Sequence, residues 1–115
     1  MPLLKLETTV PLPEEKGKPL LAALSKAVAA TIGKPEQYVM VAASQSAMLM
    51  SGKAGGAAFV DVRGIGGLNR DTNRKLSEQV CKLLKDSLGI ASDRVYLNFT
   101  DVDAGNWGWN GSTFG

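Results

Sequence analysis

A chain of 115 residues with a hydrophobic share of 44% and a net charge of +2 supports one domain with a true core, part of whose surface needs a partner for burial. Asp and Glu interspersed among the Lys and Arg argue against a nucleic-acid partner, and no apolar run of about 18 residues offers a membrane span. With no histidine and a single cysteine, Cys81, the chain excludes an internal disulfide, a Cys/His zinc site and any histidine-based dyad or triad.

A general base must then be a carboxylate, a lysine, a tyrosine, a cysteine or the amino terminus. The chain opens MPLLKLETT. Removal of Met1 by the cell's aminopeptidase would leave Pro2 with a free secondary amine. That amine is either incidental or a base. LLKLE, from Leu3 to Glu7, reads as the first strand. Lys5 and Glu7 interrupt the segment where a signal peptide would need apolar residues, which points to a cytoplasmic protein.

A helix is predicted within about residues 14 to 32, because Leu20, Leu24, Ala27, Val28, Thr31 and Ile32 recur at helical spacing. Pro19 is tolerable only near its start, and Gly33 sits where a left-handed residue would end it. Lys34 and Pro35 follow, then a strand, YVMVAAS, at 38 to 44. Val39, Val41 and Ala43 alternate there with Tyr38, Met40 and Ala42, so both faces are apolar.

AMLM at 47 to 50 is a candidate edge strand, to pair with a neighbouring copy or to pack within the chain, and SGKAGG at 51 to 56 is a glycine-rich loop. That loop is not a P-loop, since no glycine-rich stretch precedes its lysine. FVDVR, from Phe59 to Arg63, reads as the third strand, and RGIGGLN behind it lacks the third glycine and the acidic partner of a dinucleotide fingerprint.

The second helix is predicted over about 69 to 87, with Asn69 as cap and Gly89 beyond its end. Leu76, Val80, Cys81, Leu83, Leu84 and Leu88 form its apolar stripe, in which Cys81 is a packing residue. RVYLNFT at 94 to 100 is the last main strand; its alternation places Tyr96 and Asn98 together on one face. NWGWN at 106 to 110 is a second candidate edge strand or a surface turn.

Shifted by 56 residues, the chain overlays on itself: Leu3 falls on Phe59, Leu20 on Leu76, Leu24 on Val80, Val28 on Leu84, Gly33 on Gly89 and Val39 on Val95. Residues 1–115 thus form a single domain of two pseudo-repeats, about 2–50 and 57–110, each a β-α-β unit with parallel strands. Helices on one face of a four-stranded sheet leave the other face bare, and an apolar bare face calls for other copies of the chain, as in a ring with sheets turned inward.

The start PLLKL, the helix stop GKP with Tyr38 behind it, IGGLNR at 65 to 70, DRVYLNFTD and NWGWNGSTF together resemble the macrophage migration inhibitory factor and D-dopachrome tautomerase family, in the tautomerase superfamily. The resemblance covers essentially the whole chain. It implies an α/β (α+β) fold with a four-stranded mixed sheet and two helices on one face, and a homotrimer with active sites at subunit boundaries. It also implies keto–enol tautomerisation of phenylpyruvate-type α-keto acids, with D-dopachrome-like compounds as further substrates, and no cofactor.

Pro2 becomes the base in that reading, Lys34 binds the substrate carboxylate or enolate oxygen, and the backbone N–H of Val62 adds a donor. Tyr96 and Asn98 reach into the adjacent subunit's pocket, while Trp107, Trp109 and Phe114 wall it. The bland readings are a solvated helix-end lysine for Lys34 and plain interface packing for the aromatics. Where mammalian members carry a C-x-x-C pair this chain has KAGGAAFV, which removes thiol–disulfide chemistry, and Trp107 stands in place of a valine. The competing function is a binding or cytokine-type protein of the same fold, whose catalysis is incidental.

Overall fold

The computed structural model describes all 115 residues. Strand β1 (Leu3–Thr8) alternates strictly: Leu4, Leu6 and Thr8 are buried on one face. Helix α1 (Glu14–Ile32) lays Leu20, Leu24, Val28 and Ile32 on that face, the stripe its helical spacing predicts. Pro19 lies in its second turn, where the ring removes one backbone donor. Gly33, with φ 78°, ends the helix by donating its N–H to Ala29.

Strand β2 (Met40–Gln45) then runs parallel to β1, and β3 (Ala58–Gly64) lies antiparallel on the other side of β1. Helix α2 (Arg70–Leu88) leads to β4 (Val95–Asp101), parallel to β3. The sheet order is β2-β1-β3-β4, so the two β-α-β units meet along the β1–β3 pair. The predicted cap holds: Asn69 Oδ1 accepts from the Thr72 N–H at 2.9 Å. Leu76, Val80 and Leu84 of α2 join α1 and the sheet in one core, with Cys81 half-buried at its margin.

Two expectations need correction. Tyr38 and Arg94 do not begin strands; each closes a short 3-10 turn, Glu36–Tyr38 and Ser92–Arg94. The proline or alanine ahead of each turn is extended, and the backbone wraps once before entering the sheet. The bare face is also less apolar than β2 suggests. Met40, Phe59 and Tyr96 lie on it, but so do Lys5, Ser44, Arg63, Asn98 and Thr100.

Within its own chain, neither candidate edge segment joins the four-stranded sheet. Met50 bridges back to Lys53 across a tight turn, and Arg94 secures that loop through the carbonyls of Met50, Lys53, Ala54 and Gly56. Gly108–Trp109 (β5) pairs with Ser112–Thr113 (β6) as a hairpin within the chain. Its tip, Asn110-Gly111, has φ values of 52° and 77°, as a two-residue turn between antiparallel strands demands.

Candidate active site

Pro2 is buried at the entrance to β1, where its carbonyl accepts the Met40 N–H at 3.0 Å and ties the amino terminus to the start of β2. A cavity of about 570 Å³ opens at this point. Met1, Pro2 and Leu3 line it on one side, and the segment Gln37 to Met40 on another. Trp107, Trp109 and Phe114 supply aromatic walls. This is the size and apolar character of a small-molecule pocket.

The aromatic wall is built by the terminal hairpin. Phe114 donates its N–H to the Trp107 carbonyl at 3.1 Å, and the rings of Trp109 and Phe114 stack with centroids 5.7 Å apart and planes 11° from parallel. At the other end of the sheet's upper edge, the Gly66 N–H donates to Asp101 Oδ1 at 2.9 Å and the Val102 N–H to the Gly64 carbonyl at 2.8 Å. These bonds hold Val102 against the cavity.

Lys34 follows the left-handed end of α1 and does not itself line the cavity. Its charge is felt there all the same. The amino group of Met1 is held below its ordinary pKa of 8.0, first by burial and then by repulsion from Lys34. The lysine stem runs close to Gly67: a Cβ there would stand 3.6 Å from Lys34 Cε and only 2.9 Å from Ile32 Cγ2. Gly67, at φ 79°, is therefore where the loop comes tight over the end of α1.

Among the residues named from sequence, Pro2, Trp107, Trp109 and Phe114 thus share one cavity. Val62 does not join them. Its side chain is fully buried in the core, and its backbone lies in the centre of the sheet between Leu4 and Phe99. The next residue, Arg63, lines the cavity instead. Sequence reasoning passed over Arg63, although the alternation of FVDVR puts it on the face opposite Val62.

Tyr96 and Asn98 are also apart from Pro2. Through Phe59, Tyr96 stands level with Glu7, and through Asp61, Asn98 stands level with Lys5. At strand rise, Tyr96 is roughly 16 Å along the sheet from Pro2, with β3 in between. Both side chains face outward on the bare sheet, and Tyr96 is 68% exposed. The Cys81 thiol lies elsewhere on α2, and burial raises its pKa, so it has the character of a packing residue.

The sequence model of the macrophage migration inhibitory factor (MIF) family matches residues 1–115. Macrophage migration inhibitory factor from Meriones unguiculatus is 39% identical over 118 residues, covering 99% of each chain. The crystal structure of the macrophage migration inhibitory factor homologue from Prochlorococcus marinus superposes with a TM-score of 0.93 at 40% identity, over 98% of this chain and 99% of that one. The fold is also similar to that of Pt0534 inactivated by 2-oxo-3-pentynoate, with a TM-score of 0.86 at 25% identity over 96% of this chain and 95% of the other. The chain belongs to the macrophage migration inhibitory factor family, and shares its fold with the tautomerase superfamily.

Proposed function

We propose that the protein is a keto–enol tautomerase for phenylpyruvate-type α-keto acids, with the nitrogen of Pro2, freed by loss of Met1, as general base. The observation that carries this reading is the aromatic-walled cavity closing on a buried Pro2 beside the charge of Lys34. Burial and a neighbouring cation both disfavour a protonated amine at this end of the chain, which favours the free base that proton abstraction from Pro2's position requires. Inactivation of Pt0534 by a 2-oxo acid supports the same substrate class.

In the proposed step the Pro2 nitrogen takes a proton from C3 of the keto acid, and the C–H electrons form the C2–C3 double bond as the carbonyl π pair moves to oxygen. The charge of Lys34, felt at the amino terminus although its side chain does not line the cavity, stabilises the enolate oxygen, which then receives a proton to give the enol; the reverse order returns the keto form. The ring of the substrate lies among Trp107, Trp109 and Phe114. Tyr96 and Asn98, too far from their own Pro2, complete the site of an adjacent subunit in a homotrimer.

The test is direct. Purified protein with Met1 removed should convert phenylpyruvate between its keto and enol forms, followed by ultraviolet absorbance, well above the rate in buffer. D-dopachrome methyl ester is the second substrate to try. A rate equal to buffer for both would leave a binding protein of this fold.

A further inference from the structure

Arg63 is the one cavity-lining residue with an ionised side chain. It stands opposite Leu3 in the β1–β3 register, one residue from the proline. Its guanidinium folds back along the bare face of β3 to Asp61, donating from Nε at 3.2 Å and from Nη2 at 3.0 Å to Oδ2. Asp61 is held mostly out of solvent, at 19% side-chain exposure against 54% for Arg63. The carboxylate therefore uses one edge of the guanidinium. The other edge, with both N–H groups of Nη1 and the outer one of Nη2, has no partner within the chain.

A planar fork fixed along one edge and open along the other is suited to a bidentate carboxylate. Everything else that lines the cavity is apolar or uncharged, apart from the chain's own amino group. We propose that Arg63 is the anion anchor of this pocket and sets its preference for substrates that carry a carboxylate. This deepens the tautomerase reading and rests on it: Arg63 takes the carboxylate, and Lys34 is left to act through its charge on the amine and the enolate oxygen. Asp61 acts as a positioning residue that points the free edge of the fork.

Binding of an unreactive acid tests the anchor separately from turnover. Calorimetric titration of the intact protein with 3-phenylpropionate and with its neutral amide should show tighter binding of the acid. Arg63→Gln should weaken the acid about 10- to 100-fold and leave the amide unchanged, as loss of a charge-assisted pair requires. Arg63→Lys, which restores charge without the fork, should fall between them. In turnover, Arg63→Gln should raise KM for phenylpyruvate far more than it lowers kcat.

Equal binding of acid and amide by the unaltered protein would overturn the proposal. So would an Arg63→Gln variant that binds the acid normally, or one whose only change is a loss of subunit association, which would assign Arg63 to an interface. Because 3-phenylpropionate undergoes no proton transfer at Pro2, absence of turnover would count against the tautomerase reading alone. The acid-over-amide preference and its loss in Arg63→Gln would still establish the anion anchor.

Discussion

At Pro2 the chemistry depends on one covalent detail, whether the nitrogen is an amine or an amide. Keeping Met1, or inserting one alanine ahead of Pro2, makes an amide with no basicity. Either change should lower kcat/KM about 100-fold or more, within the usual range for loss of a general base. Pro2→Gly keeps an amine but loses the ring, and should be impaired more mildly in the same assay. The pH profile gives the sign of the Lys34 effect. A base works when deprotonated, so kcat/KM rises with pH through the pKa of the amine. Burial and the Lys34 charge both lower the pKa of the Met1 amino group; the same two causes act on the Pro2 amine once Met1 is lost, and Lys34→Ala removes the second. The ascending limb should therefore move to higher pH; a limb that stays in place or moves down would show that Lys34 is not the relevant cation. Arg63 was the residue hardest to read from sequence. A strand arginine two residues from an aspartate looks like a solvated pair, and only the register beside Leu3 brings it to the cavity.

The elements place these residues through a few local devices. Gly67 allows the loop after β3 to settle over the last turn of α1, against Ile32 and the stem of Lys34. Gly67→Ala puts a Cβ at 2.9 Å from Ile32 Cγ2 on a backbone of φ 79°, so it should destabilise the fold by about 1 kcal/mol or more and disturb Lys34. Chemical denaturation reads the first effect and the pH–rate profile the second. Asn69→Ala removes the side-chain cap of α2 and should cost about 1 kcal/mol in the same denaturation experiment, with little change in kcat/KM. The helices were legible because a four-residue apolar spacing and a terminal glycine occur twice, 56 residues apart. The turns were less so. Tyr38 and Arg94 continue the alternation of the strands behind them, and nothing in that pattern marks the extra wrap of backbone. The terminal hairpin carried a signal in Asn110-Gly111 between Trp109 and Ser112, in keeping with the surface turn that is one of the two readings of NWGWN.

For the whole molecule, the bare face of the sheet and the distance from Pro2 to Tyr96 and Asn98 favour sites shared between copies. Light scattering should give about three times 12.1 kDa, and a stable, active monomer would contradict the proposed trimer. Mixed trimers test the shared site most directly. One parent carries the alanine inserted before Pro2, and the other carries Tyr96→Phe with Asn98→Ala; each alone should be nearly inactive while keeping its trimer mass. Co-assembled in equal amounts, they should regain about a quarter of the normal activity, because some sites then combine an intact Pro2 from one subunit with an intact Tyr96 and Asn98 from the next. Activity no greater than the sum of the two parents, in trimers shown to be mixed, would contradict a site built from Pro2 of one subunit and the β4 pair of its neighbour.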